Sequence, residues 1–410
     1  MKKKLLITVG AGASVEFELP SVSDVDKLFD THAANNYPLA HNRTLNLYGF
    51  IRDAIDAYYA KNSKLALRKW TNFEEIIYQL NLLASHLTDN DYQQGSNALW
   101  TPNTLPAVLD FKGRPRPVDR GVLSSLSSSL LDNLTAHFIT QCDTASSSRA
   151  KEIGELTTFL DSLREEFDVG VITLNYDNIF TQASPSLFTG FDAKGRFDST
   201  SVLTRLDWEF IYHLHGSIHF KMQAAGSDLH TIGWENNPTA NHTTQSAGRS
   251  SQTSMEGTPF PTAPIVAGYG KTQQLLRQPF RTYFAQTSRL VHEADALLFV
   301  GYGFNDLHLN ATFSEVRNKR RPVAVISFAK DTEDSLPFRA DQWAYNLGKT
   351  IPSDLHAMSA PGQTSPADVS ELKQAREFEV STNPNYPLAV WYNGFLEACR
   401  HPAKVLAQLL

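Results

Sequence analysis

Four times along this 410-residue chain, a short apolar run gives way at once to glycine or to small polar residues. The four are "LLITVGAGAS" (Leu5–Ser14), "VGVITLNYDN" (Val169–Asn178), "FIYHLHGS" (Phe210–Ser217) and "ALLFVGYGFND" (Ala296–Asp306). A fifth run, "RPVAVISF" (Arg321–Phe328), has the same apolar character. Runs this short and this continuous read as strands buried on both faces. Between them, apolar residues recur every three to four positions, the spacing of amphipathic helices. Strands alternating with helices predict an α/β fold, a Rossmann-like parallel sheet with helices on both faces. In such sheets a ligand lies across the C-terminal strand edge, where these polar clusters would fall.

From Val25 to about Leu163 the pattern is mostly helical, which predicts a large helical insertion, 31–164, after the first strand. Its apolar helix faces, such as Phe73, Ile76, Ile77 and Leu80 in "NFEEIIYQL", would fill its own core or serve as a lid and assembly surface. The catalytic domain is then 1–30 with 165–330. Within it, 221–262 is rich in Ser, Thr, Asn, Gly and Gln and reads as a flexible polar insertion. "TQQLLRQPFRTYFAQTSRLVHEA" reads as one helix despite its proline, and 331–410 as a C-terminal appendix.

Bulk composition narrows the function. The formal net charge is −6, so no global basic field draws the chain to nucleic acid or membrane. "RNKRR" (Arg317–Arg321) reads as a solvated helix end. Two cysteines, Cys142 and Cys399, cannot build a structural zinc site, and so few suit a reducing, cytoplasmic setting. The start, "MKKKLLITVGAGA", has the letters of a signal peptide, but the apolar run Leu5–Val9 is shorter than the usual ~7–15 residues. It reads better as a buried strand and its turn. No stretch approaches the ~18 apolar residues of a membrane helix.

The strand ends carry the chemistry. Gly10, Ala11, Gly12, Ala13 and Ser14 form a turn whose backbone can approach a pyrophosphate. Gly301, Gly303 and Asn305 form a second, beside the first if their strands are neighbours. Asp306 and Asn310 read as caps of the next helix. Asn175 and Asp177 end another strand, and His215 a further one. His213, His215 and His219 would share one strand face if that strand ran far enough. Ligands on one extended strand rarely converge, so no metal is expected.

Taken together, these pieces resemble the sirtuin superfamily over residues 1–30 and about 165–330. "GAGAS" resembles its phosphate turn, "TLNYDN" its catalytic Asn-Asp segment, "LHGS" its His-Gly base and "VGYGFNDLHLN" its second nucleotide segment. The protein-deacylase branch carries two Cys-x-x-Cys pairs after the His-Gly, and 221–262 contains no cysteine. The arginine expected after the first-loop proline is also absent, because Ser21 follows Pro20. The closer resemblance is to prokaryotic sirtuin-like NAD hydrolases of antiphage defence.

That resemblance implies cleavage of NAD, as substrate and without metal, to ADP-ribose and nicotinamide. Asn175 would orient ribose and water, and His215 would act as base. Asp177 would either stabilise the developing cation or cap the following helix. It also implies a homo-oligomer, or a partner defence protein such as a nucleic-acid translocase or sensor, with no direct nucleic-acid binding by this chain. The alternative is a catalytically silent NAD or ADP-ribose sensor or scaffold subunit.

Overall fold

The structure is a computed structural model. It describes residues 2–61, 71–87, 105–223, 231–240, 252–255, 258–261, 263–269, 271–329, 342–352, 355 and 369–410. Half of the polar insertion expected at 221–262 lies outside them, and within the described half Phe220–Gln223 pairs antiparallel with Thr231–Trp234 and Gln252–Met255 with Thr258–Pro261. The chain divides into two compact units, one of Met1–Leu19, Gln141–Gly216 and Pro279–Leu410, the other of Pro20–Thr140 and Ser217–Gln278.

The first unit holds a seven-stranded sheet. Its strands in chain order are β1 (Lys3–Val9), β2 (Phe167–Thr173), β3 (Phe210–His213), β4 (Ala296–Val300), β5 (Val323–Ile326), β6 (Glu379–Val380) and β7 (Leu388–Trp391). Their order across the sheet is β6-β7-β5-β4-β1-β2-β3, parallel except for the antiparallel edge strand β6. This is the α/β Rossmann-like fold expected from the short apolar runs. Leu5, Leu6, Ile7 and Val9 are fully buried, as both-faced coverage requires. Gly170 on β2 sits opposite Phe210 on β3, and a Cβ there would meet the ring at 2.2 Å. The ring fills that space and stacks on Tyr212, which stacks in turn on Tyr283.

Register aligns the strand ends. Val9 pairs with Val300 and Thr173, Thr173 with His213, and Val300 with Ile326. Gly10, Leu174, Leu214 and Gly301 therefore leave the sheet at one edge. The order reverses between β1 and β4, the place where open sheets of this kind leave a crevice.

Around the sheet lie α1 (Gly12–Val15), α2 (Ala150–Glu166), α3 (Ile179–Ala183), α4 (Ser199–Thr204), α5 (Phe280–Glu293), α6 (Leu307–Glu315), α7 (Gln342–Thr350), α8 (Val369–Ala375), α9 (Phe395–Cys399) and α10 (Pro402–Leu409).

Three expectations are corrected here. The region 331–410 is no mere appendix, because β7 pairs with β5 and extends the main sheet. Its end is also tied to α3 and to the first loop: Phe395 stacks on Phe180 of α3, and Glu16 accepts the backbone N–H groups of Phe395 and Leu396. The segment around Pro279 is two pieces, a 3₁₀ turn over Lys271–Leu276 and α5, which starts after the proline. Pro279 has no N–H for an intrahelical bond and fits at a helix start. Within "RNKRR", Arg317, Lys319 and Arg320 are exposed, but Arg321 is buried and donates to the Ala294 carbonyl at 2.9 Å, closing the end of α5.

The second unit contains helices Val22–Asn36, Leu47–Lys61 and Phe73–His86. Ser21 opens the first with a capping box to Asp24. Phe29 packs edge-on against both Tyr48 and Phe73. Phe73, Ile76, Ile77 and Leu80 are all buried within this single chain, so their apolar face is core rather than an open assembly surface. The expected insertion began at residue 31 and ended at 164. The compact unit begins at Pro20, ends at Thr140 and takes in Ser217–Gln278 as well.

Candidate active site

The two glycine turns meet backbone to backbone. Gly12 N–H donates to the Gly301 carbonyl at 3.0 Å, and Gly10 N–H to the Val300 carbonyl at 2.9 Å. A Cβ on Gly301, whose φ is +57°, would lie 2.0 Å from Ala13 N, and one on Gly10 would lie 2.7 Å from the Gly301 carbonyl oxygen. Close approach of the two turns is therefore what excludes side chains there. The amides of Ala13 and Ser14 are also spent locally, on the Gly10 and Ala11 carbonyls. Ala11 and Gly12 are the exposed residues of the turn, which presents no ring of free amides to a ligand. The helix after it, α1, is only four residues long, too short to supply much of a helix dipole.

Asn175, two residues beyond the end of β2, is buried. Its amide Nδ2 donates to the Gly10 carbonyl at 3.0 Å and to Ser14 Oγ at 2.8 Å. Ser14 passes its own hydroxyl hydrogen to Asp177 Oδ2 at 2.6 Å. The other oxygen of Asp177 accepts the Ile179 N–H at 3.0 Å, at the start of α3. Both oxygens of Asp177 are thus engaged by the protein itself, so its position is that of a cap and anchor. Burial pushes its carboxyl pKa up, against the lowering effect of the Ser14 hydroxyl and the Ile179 amide. Asn175, Ser14 and Asp177 lock the β1 turn to the β2 end.

His215 follows β3 by one residue beyond Leu214 and is 3% exposed. The strand stops at His213, and Gly216 takes φ +111°, so the three histidines do not line one strand face. His219 belongs to the other unit, where its Nδ1 lies 2.8 Å from the Glu235 carbonyl and its ring stacks on Trp234. His215 instead meets a carboxylate: its Nε2 lies 3.0 Å from Asp306 Oδ2. Asp306 Oδ1 lies 2.9 Å from His308 Nδ1. Asp306 occupies the N-cap position of α6 but makes no side-chain cap bond, so its expected role as a cap is replaced by this pairing. Asn310 does not cap either. It sits inside α6, accepts from the Tyr302 hydroxyl at 2.7 Å and donates to the Phe304 carbonyl at 2.7 Å. That bracing holds Phe304 at φ +51°, a strained value for a bulky side chain.

Of the second turn, Gly303 is only partly exposed and Asn305 is exposed, its Oδ1 accepting from Asn346 at 3.3 Å. Asp306 and His308 are the residues whose roles the sequence did not foretell. The only trace is an Asp-x-His spelling directly after a glycine turn.

Residues 169–347 match the family model of the SIR2-like domain. The match spans Asn175, Asp177, His215 and the whole second glycine turn. Among solved structures, the chain is similar to a Sir2 homologue in complex with NAD, at 12% identity and a TM-score of 0.35, covering 79% of this chain and 78% of that one. It is also similar to a Ser-to-Ala and a His-to-Asn variant of a Sir2 homologue with ADP-ribose, each at 12% identity and a TM-score of 0.32, covering 80% of both chains. No curated protein matches the chain.

Proposed function

We propose that this SIR2-like domain binds NAD and hydrolyses it to ADP-ribose and nicotinamide. The observation that carries the reading is the placement of an amide, Asn175, and a buried imidazole, His215, at two neighbouring strand ends beside the reversal point of the sheet. NAD would lie over the Gly10–Ser14 turn, with Gly301, Gly303 and Asn305 along its other side. The bond between nicotinamide and ribose breaks with positive charge developing on the ribose, and nicotinamide leaves as a neutral amide. Water supplies the new oxygen at that carbon.

Asn175 spends its N–H groups on Gly10 and Ser14, which leaves its carbonyl oxygen to accept from a ribose hydroxyl or the attacking water. His215 takes the proton, and Asp306 holds the imidazole and offsets the charge it gains. Asp177 acts one step back, through Ser14. The chemistry asks for no metal.

The sequence resemblance supports a wider proposal, that the hydrolase is an antiphage-defence effector acting in the cytoplasm. Self-assembly or a partner, such as a nucleic-acid translocase or sensor, would restrain it. No helix among the described residues is long and apolar enough to cross a membrane. Control by assembly would have to use surfaces other than the buried face of Phe73–His86.

The test is nicotinamide release from NAD by the purified protein, with Asn175→Ala and His215→Ala alongside. Loss of a positioned base costs about 10²–10⁴-fold. Turnover near wild type in a folded variant would remove that residue from the mechanism. NAD binding without turnover by the wild-type protein would favour the silent sensor.

A further inference from the structure

The sequence carried no sign of a metal, yet two histidines and a carboxylate converge at the mouth of the site. The donor atoms of His215, Asp306 and His308 all lie within 4.8 Å of one another. They come from segments about ninety residues apart in sequence. The two His–Asp separations are 3.0 and 2.9 Å. With metal–ligand bonds of about 2.0–2.2 Å at tetrahedral angles, ligands around one ion stand about 3.3–3.6 Å apart, so each His–Asp pair need open by only about 0.3–0.7 Å to admit it. Asp306 has also given up the cap bond that its position on α6 offers. His215 and Asp306 are nearly enclosed, while His308 is about one-third exposed and can swing the short distance that closes the set.

We propose that His215, Asp306 and His308 bind one divalent transition-metal cation of the zinc type, and that its binding silences the site by occupying Nε2 of His215. Two imidazoles and one carboxylate suit such an ion, whereas magnesium and calcium seek oxygen ligands. Three protein ligands leave a coordination position for water on the open side. A metal on Nε2 fixes the ring hydrogen on Nδ1, so neither nitrogen keeps a lone pair to take a proton, and the base is withdrawn without any change of fold. The silencing rests on the proposed hydrolysis of NAD; the cation site does not.

Binding is measured first, on the full chain freed of metal with a chelator. Calorimetry with zinc, and visible absorption with cobalt as its spectroscopic substitute, should report one ion per chain. His308→Ala and Asp306→Asn should each weaken binding by about 10-fold or more, since even residues that merely support a ligand cost about 10–100-fold. Absent stoichiometric binding, or binding untouched by both substitutions, overturns the site and leaves a plain set of His–Asp–His contacts. Nicotinamide release is measured next. Wild type should be active in chelator and lose most of its activity when zinc saturates the measured site. His308→Ala should keep its chelator-treated activity and need at least about 10-fold more zinc to lose it. Zinc that leaves turnover unchanged, or raises it, overturns the silencing. A protein inert towards NAD under every condition overturns the hydrolase reading, while the calorimetry and cobalt spectra still decide the cation site.

Discussion

Gly301→Ala should be among the most damaging single-methyl additions in this chain. The new Cβ would lie 2.0 Å from Ala13 N, 2.4 Å from the Gly12 carbonyl carbon and 2.9 Å from Ala13 Cα. All three are backbone atoms, so no side-chain rotation relieves the contact. Ordinary contact needs 3.4 Å or more, so the turns must separate by about 1.4 Å. That movement breaks the 3.0 Å bond from Gly12 N–H to the Gly301 carbonyl. Holding a residue with a Cβ at φ +57° adds about 1–2 kcal/mol, and overpacking a fixed interior adds about 1–3 kcal/mol. The expected loss is about 2–5 kcal/mol. Urea denaturation gives the total, and hydrogen exchange in β1 and β4 shows where the loosening falls. Gly303→Ala is the control, because its nearest neighbour is the Asn305 side-chain amide at 3.2 Å, which can turn away. A Gly301→Ala protein within 0.5 kcal/mol of wild type, on the scale of an ordinary surface change of about that size, would refute the argument that backbone contact holds the two turns together.

Other perturbations probe the neighbouring links. Ser14→Ala should cost about 1–3 kcal/mol, because it strands a buried oxygen of Asp177 and an N–H of Asn175, and it should lower NAD turnover through misplacement of Asn175. Denaturation and nicotinamide release check the two effects separately. Asp306→Asn should lower kcat while leaving the melting temperature close to wild type, and should alter the pH profile of kcat; an unchanged profile would deny it any influence on His215. Glu16 has its carboxyl pKa raised, first by burial, despite the two amides it accepts. The fold therefore favours its protonated form, so its contribution is present below the unfolded carboxylate range and lost as pH rises through the folded value. Glu16→Gln keeps an acceptor for Phe395 and Leu396, so its melting temperature should gain on wild type as pH rises from about 4 towards neutrality. A constant difference across that range would count against the burial argument.

The strands of the fold were legible where a run of apolar residues was long enough to be buried on both faces. β1, β2, β3, β4 and β5 all announce themselves this way. β7 is as apolar and as long as β3 and β5, with Leu388, Ala389, Val390 and Trp391 all buried, but it stands between "NPNYP" and "YNG". Turn residues on both sides made it look like part of a loop-rich tail. The second unit was legible only in its helices. That Ser217–Gln278 belongs with Pro20–Thr140 depends on contacts between distant segments, which local periodicity does not record.

For the site, Asn175, His215 and the two glycine turns could be found because each lies within two residues of its strand's end. The Asp306 contact has a different origin. β3 and β4 are separated in the sheet by β2 and β1, so their ends stand about 14 Å apart at the usual strand spacing. For Asp306 Oδ2 to come within 3.0 Å of His215, the segment between β4 and α6 must reach back past the ends of β1 and β2. It can do so because Gly301 turns the chain at φ +57° against the Gly10 turn, and because Asn310 braces Phe304 in a left-handed conformation. A helix cap would have needed neither feature. The left-handed Gly301 and Phe304, the missing cap at Asp306 and the paired histidines thus have one physical explanation: the segment after β4 is shaped to carry a carboxylate to the end of β3.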